Sequence, residues 1–260
     1  MKRKNTYAVI TGASSGIGRE FARRLAAEGY NLILVARRTE RLMQLAKEVE
    51  AFGAKAVLVS ADLSKLKDCK EVMEEVDKHK TLVFINNAGF GDCGSFTESD
   101  FEKEFEMIDV NVKAVHYLTK SILKIFQKRN QGYILNVASS AGLIPAGPYM
   151  ATYYATKAYV TSLTRAIATE LKEQGSRVYI GCLCPGPVDT EFNDVANVNF
   201  ALKGITASYC ANYAVDQMKK RKVVIVPTLT MKCTVFFSRI IPQNLYIKLT
   251  GNQQKKKLGK

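Results

Sequence analysis

Residues 11–18 read Thr11-Gly12-Ala13-Ser14-Ser15-Gly16-Ile17-Gly18. A short apolar run, residues 6–11, precedes them. An amphipathic run, residues 16–29 with Phe21, Leu25 and Ala26 on one face, follows. Strand, glycine turn and helix together form a cradle for a dinucleotide pyrophosphate. Gly12 permits the tight turn, Gly16 lets the backbone approach the pyrophosphate, and Gly18 lets the helix pack close to the strand. Ser14, Ser15 and Ile17 complete the loop, which brings the anion to the free N–H groups at the helix start. The spacing G-x-x-x-G-x-G differs by one residue from the commoner dinucleotide fingerprint. The strand before it and the helix after it supply the context that such a motif needs. A glycine turn without a ligand is the alternative.

Outward from this loop the chain alternates. Apolar runs at 31–36, 54–60, 82–85, 133–137, 178–183 and 223–226 read as further strands. Between them lie helical patterns at 40–52, where Leu42, Leu45, Val49 and Phe52 form the stripe, and at 65–78, 100–127 and 151–174. Apolar strands separated by amphipathic helices imply a parallel sheet covered on both faces. The expected fold is α/β: a Rossmann-like, doubly wound, seven-stranded parallel sheet with helices on both faces. No repeat, linker or composition break divides the chain, so residues 1–260 are read as a single domain.

The end of the second strand bears on the choice of dinucleotide. A site that prefers NAD places an acid there to hold the ribose 2′-hydroxyl. Here the strand ends Val35-Ala36-Arg37-Arg38. A cation at this place pairs with a 2′-phosphate, which favours NADP(H) and rests mainly on Arg37. The alternative is that both are solvated turn residues, Arg38 in particular.

Composition narrows the class further. At 260 residues and 47% hydrophobic, the chain is long and apolar enough to bury a sizeable core. Six cysteines without a C-x-x-C pair and two histidines without ligand-spaced partners argue against a metal site and for reduced thiols in the cytoplasm. The opening Met1-Lys2-Arg3-Lys4 and its apolar run imitate a signal peptide. The run leads straight into the glycine loop, so it is read as the first strand. The net charge is +14, and residues 203–260 carry +11 of it, with Asp216 as their single acid. The basicity therefore belongs to the C-terminal part. No nucleic-acid-binding module accompanies it.

The catalytic candidates lie in Ser139-Ser140 and Tyr153-Tyr154-Ala155-Thr156-Lys157. Tyr153 and Lys157 stand four residues apart on a helix and share a face. An ammonium beside a phenol favours phenolate, and a drop of two units from about 10 requires about 2.7 kcal/mol. Such a tyrosine donates a proton to a carbonyl or takes one from an alcohol. Alone, Y-x-x-x-K is a weak motif.

Its company makes it strong. Thr11-Gly12-x-x-x-Gly16-x-Gly18, Asp62, Asn86-Asn87-Ala88-Gly89, Asn111, Ser140, Tyr153, Lys157 and Pro185-Gly186-Pro187-Val188-x-Thr190 occur in this order. The sequence thereby resembles the short-chain dehydrogenase/reductase family in its shorter form. The resemblance implies catalytic roles for Asn111, Ser140, Tyr153 and Lys157. Ser140, thirteen residues before Tyr153, would polarise the substrate carbonyl, with Ser139 as the adjacent rival. Tyr154 is the rival for Tyr153. Asn111 would hold a water that links Lys157 to solvent, and Lys157 and Tyr153 would contact the nicotinamide ribose. Asp62 and Leu63 would meet the adenine. Asn87, Ala88 and Gly89 would line the cofactor, Pro185 and Gly186 would also contact it, and Val188 and Thr190 would hold the carboxamide. The implied reaction moves a hydride between NADPH and a carbonyl or alcohol. A homodimer or homotetramer pairing through the two long helices is also implied.

Substrate choice falls to the segments that follow. Residues 190–205 mix Phe192, Val195, Val198, Phe200 and Leu202 with asparagines, as a lid with an apolar inner side would. With Leu143, Ile144, Pro145 and Tyr149 they suggest a hydrophobic ketoacyl, steroid-like or other ketone. Residues 229–260 combine apolar clusters with cations. That extension is open between an amphipathic segment on an anionic membrane surface, a cover for the pocket or a subunit contact, and a core helix with a charged end. A regulator that binds NADPH without turnover is the alternative function. It would require a broken catalytic set, and this one is intact.

Overall fold

A computed structural model of the protein describes residues 5–196 and 204–257. The chain begins with β1 (Tyr7–Thr11), α1 (Gly16–Ala27), β2 (Asn31–Ala36), α2 (Thr39–Glu50), β3 (Ala56–Ser60), α3 (Leu66–Asp77) and β4 (Thr81–Asn86). Next come α4 (Phe101–Ile108), a π-helical turn (Asp109–Ala114), α5 (Val115–Arg129), β5 (Tyr133–Val137), a 3-10 turn (Ser140–Gly142), α6 (Ala151–Glu173) and β6 (Tyr179–Leu183). The last part holds β7 (Val188–Asp189), α7 (Phe192–Val195), β8 (Ile205–Thr206), α8 (Ala207–Lys219), β9 (Val224–Ile225), α9 (Leu229–Phe237) and α10 (Gln243–Lys257).

Seven strands form one sheet in the order β3-β2-β1-β4-β5-β6-β9, with every pairing parallel. This is the expected Rossmann-like sheet. Alternate residues of each strand feed opposite cores. Ala8, Ile10, Leu32 and Leu34 pack with Phe21 and Leu25 of α1, Leu45 of α2 and Val215 of α8. Val9, Ile33 and Phe84 pack with Val72 of α3 and with Leu118, Ile122 and Phe126 of α5. Burial on both faces explains why these strands read as continuous apolar runs. Strand order reverses between β1 and β4, and a crevice opens at the C-terminal strand ends there.

Three features depart from the pattern read in the sequence. The expected helix at 100–127 starts one residue later, with Asp100 as its N-cap accepting from the Glu102 N–H at 2.9 Å. It is then broken by the π-helical turn around Asn111. Helix α8 and the β7–β8 pair were not anticipated. Helix α8 was legible in principle: Thr206 caps it, and Cys210, Ala211, Ala214, Val215 and Met218 follow helical spacing. The C-terminal extension folds as two helices, α9 and α10, joined at Pro242.

Candidate active site

The glycine loop turns between β1 and α1 with left-handed backbone at Gly12 (φ +64°) and Gly16 (φ +53°). At Gly18 a Cβ would stand 2.2 Å from the Gly12 carbonyl oxygen, so only glycine lets α1 seat this close. Thr11 ties the loop to the end of β4. Its Oγ1 accepts from the Asn87 and Ala88 N–H groups at 2.9 and 3.0 Å, and Asn87 Nδ2 donates to the Thr11 carbonyl at 2.9 Å.

Helix α6 carries Tyr153 and Lys157, both nearly fully buried. Lys157 Nζ donates to the Val137 carbonyl at 3.0 Å and lies 5.8 Å from the Tyr153 ring centre. The side chain of Ser139 stands by the Tyr153 phenol and opposes the rise of its pKa. That contact brings forward Ser139, the rival to Ser140 in the sequence. Beyond β5 the chain stays extended at Ser139 (φ −168°, ψ 161°) and only then enters the 3-10 turn that starts at Ser140. Ser139 Oγ also accepts from the Ala141 N–H at 3.1 Å, which fixes the hydroxyl. Ser140 is held by its backbone, its N–H donating to the Pro185 carbonyl at 2.8 Å, and it too borders the cleft.

The electrostatics also differ from the expectation. Burial raises Tyr153 above the ordinary tyrosine value, with the Ser139 hydrogen bond opposing, so the phenol is protonated at neutral pH. Burial lowers Lys157 to about 8, slightly opposed by Cys184. The expected lowering of the phenol by the ammonium is therefore absent from the protein alone, because desolvation of both groups dominates.

Asn111 is fully buried at the π-helical turn. Its Nδ2 donates to the Phe90 carbonyl at 2.8 Å and to Thr156 Oγ1 at 3.2 Å, and its Oδ1 accepts from the Phe90 N–H at 3.2 Å. A Cβ on Gly89 would stand 2.8 Å from Asn111 Oδ1 and 3.2 Å from Lys157 Nζ. Gly89 thus lets both side chains close on the backbone after β4. Asn111 and Gly18 stand behind the cleft; the other expected site residues line it.

The arginines divide differently from the sequence reading. Arg37 pairs with Glu106 at 2.7 Å on the border of the cleft. Arg38 lies along the glycine loop, donating to Ser15 Oγ at 2.8 Å and to Ser14 Oγ at 3.2 Å. Its other nitrogen meets Glu191 at 2.9 Å, and Arg41 pairs with the same carboxylate. Arg38 and Arg41 hold Glu191 below the usual carboxylate range by hydrogen bonds and charge. Asp62 accepts from the Ser64 N–H and Oγ at 3.2 and 2.8 Å. Burial opposes its ionisation, but those bonds and the Arg37 charge outweigh it and lower its pKa.

Ser139, Tyr153, Lys157, Arg38, Asp62 and the glycine loop border one cleft of about 890 Å³. Among the described residues no three His, Cys, Asp or Glu side chains gather as a metal site. The short chain dehydrogenase family model matches residues 6–199. The chain belongs to the short-chain dehydrogenase/reductase family. A very-long-chain 3-oxoacyl-CoA reductase of Neurospora crassa is 38% identical over 184 residues, 68% of this chain and 55% of that protein. The chain thus spans about half the length of that relative. A short-chain dehydrogenase of Sphingobium yanoikuyae, solved with NADPH, is 31% identical, with a TM-score of 0.80 over 86% of this chain and 88% of that one. A family member from Burkholderia phymatum, solved with NAD, is 27% identical, with a TM-score of 0.82 over 90% and 93%.

Within this family fold, Arg41 is the residue that the sequence did not single out, and the C-terminal extension, whose place the sequence left open, turns its inner side to the cleft. Met231, Thr234, Tyr246, Thr250 and Gln254 from α9 and α10 line the cleft together with Ile144, Met150 and Tyr154. Gln254 Nε2 donates to the Tyr154 hydroxyl at 2.9 Å, which places the rival tyrosine in the cleft wall. Phe192 of α7 packs on the Tyr153 ring at 5.5 Å, as a lid residue would. Val198, Phe200 and Leu202, also expected in the lid, lie outside the described residues.

Proposed function

We propose that the protein is an oxidoreductase that transfers a hydride between NADPH and the carbonyl of a hydrophobic ketone, with Tyr153 as the proton donor. The observation that carries the reading is one cleft with Ser139, Tyr153 and Lys157 at one part and the glycine loop with Arg38 at another. The left-handed glycines, the Ser14–Ser15–Arg38 cluster and the cleft volume fit a dinucleotide phosphate. The NADPH bound by the Sphingobium relative supports the same cofactor here.

Arg38, with Arg41 behind it, would hold the 2′-phosphate. Gly12, Ser14, Ser15, Gly16 and Ile17 would hold the pyrophosphate, and Asp62 and Leu63 the adenine. Asn87, Ala88 and Gly89 would line the middle, and Pro185, Gly186, Val188 and Thr190 the carboxamide. The cofactor, when bound, supplies the hydride. Ser139 polarises the substrate carbonyl, and the protonated phenol of Tyr153 gives its proton to that oxygen. Lys157 then supports the resulting phenolate, and Asn111 keeps the loop after β4 against Lys157. Ile144, Met150, Phe192, Met231 and Tyr246 offer the substrate an apolar wall. The reductase name of the Neurospora relative favours a 3-oxoacyl thioester among the hydrophobic ketones.

The test is NADPH oxidation against 3-oxoacyl thioesters and aliphatic, aromatic and steroidal ketones. Turnover of at least one class is expected, with loss of nearly all of it in Tyr153→Phe. Full turnover by Tyr153→Phe on an accepted ketone would overturn the assignment of the acid.

A further inference from the structure

The two helices of the C-terminal extension face the cleft on one side only. In α10 the buried positions are Tyr246, Thr250, Gly251 and Gln254, while Leu245, Lys248, Leu249 and Asn252 are exposed. In α9 and the turn after it, Val235 and Ser238 are buried, and Leu229, Phe236, Phe237, Arg239 and Ile240 are exposed. Six large apolar side chains here (Leu229, Phe236, Phe237, Ile240, Leu245 and Leu249) are between 50% and 75% exposed. So dense a run of exposed Phe, Leu and Ile marks a contact surface.

The charge of the segment selects the partner. Residues 229–260 contain Lys232, Arg239, Lys248, Lys255, Lys256, Lys257 and Lys260, with no Asp or Glu; Asp216 is the last acid of the chain. Among the described residues no helix is long and apolar enough to cross a membrane, so apolar contact here is made from the side. Two copies meeting symmetrically through this face would set cation against cation with no acid to relieve it. Phosphate headgroups over acyl chains complement both parts: the exposed Arg239 and Lys248 meet the phosphates, and Phe236, Phe237 and Ile240 enter the acyl boundary.

We propose that the outer face of α9, α10 and the turn between them docks on an anionic lipid surface. The inner face of the same helices lines the cleft, so docking places the substrate-binding wall next to the lipid phase.

The experiment is flotation of the full chain with vesicles of phosphatidylcholine alone and of phosphatidylcholine with phosphatidylglycerol. Recovery with the anionic vesicles is expected, falling as salt is raised. Lys248→Gln should weaken partitioning about fivefold, the equivalent of about 1 kcal/mol per cation. Phe236→Ser combined with Phe237→Ser and Ile240→Ser should abolish it. Circular dichroism and NADPH binding of the triple variant serve as the folding control. Equal recovery on neutral vesicles, or unchanged recovery by a folded triple variant, overturns the proposal. So does a parent that is dimeric and floats with neither vesicle while the triple variant is monomeric, since the face then joins two copies.

Discussion

The Ser139 side chain, just beyond β5, stands by the Tyr153 phenol of α6 and opposes the rise of its pKa. The same strand end holds Lys157 through the Val137 carbonyl, at 3.0 Å. One rigid element therefore positions both members of the pair on α6. The serine is selected by where the extended chain ends, not by the length of the loop that leads back to Tyr153. Ser139→Ala is expected to lower kcat about 100-fold or more, as removal of a donor to a developing oxyanion does. Ser140→Ala should cost less than about tenfold, because its observed anchor is the backbone bond to Pro185. Steady-state reduction of an accepted ketone by the two variants measures this. The reverse ranking would return the role to Ser140.

This displacement shows where sequence reading works and where it stops. The sheet was legible because strands buried on both faces must be apolar throughout, and β2, Leu32 to Ala36, is fully buried. The glycine loop was legible because Gly12, Gly16 and Gly18 each meet a local steric demand. Ser139 was not, since two adjacent serines carry the same chemistry and only backbone direction separates them. The placement of Arg38 and Arg41 was not legible because their partners, Ser14, Ser15 and Glu191, are distant in sequence. The role of the extension was undecided for a similar reason: its inner residues earn their meaning from Tyr154, which is 100 positions from Gln254.

Glu191 stands where two arginines converge beside the glycine loop, so it competes with any other anion for Arg38. Glu191→Gln is expected to tighten NADPH binding several-fold, with little change for NADH. Arg38→Ala should weaken NADPH by about 10- to 100-fold, the worth of about 1.5–3 kcal/mol for hydrogen bonds to a charged group. Arg37→Ala should matter less, because Arg37 is turned toward Glu106. Fluorescence titration of both cofactors reads all three variants. Equal loss of NADH and NADPH by Arg38→Ala would remove the 2′-phosphate from the account.

Lys157 contributes a pH-dependent cost to folding. Its fall from an ordinary value near 10.5 to about 8 corresponds to about 3 kcal/mol against the charged form. The unfolded chain binds the extra proton between about pH 8 and 10.5, so stability rises with pH across that window, and below it the full cost is present. Lys157→Met removes the charge and strands the Val137 carbonyl, a loss of about 1 kcal/mol. The variant should therefore be about 2 kcal/mol more stable than the parent at pH 7, although inactive, and should lose that gain near pH 10.5. Urea unfolding without cofactor at the two pH values measures it. A gain that is the same at both would disprove the linkage.

The bond from Gln254 to Tyr154 ties α10 to the catalytic helix inside a buried setting, and Gln254 Oε1 has no hydrogen-bond partner there. Tyr154→Phe would leave the amide wholly unpaired and should destabilise the fold by about 1–3 kcal/mol. Replacing both ends, with Tyr154→Phe and Gln254→Leu, removes the stranded groups together and should recover most of that loss. The double variant should keep its NADPH affinity while its KM for the ketone changes, because Tyr154 and Gln254 border the cleft with Met231 and Tyr246 rather than with the glycine loop. Denaturant unfolding of the four proteins forms a double-mutant cycle, and initial-rate kinetics supply the second readout. Strictly additive losses would mean that the bond is not formed in solution and that α10 does not close the cleft.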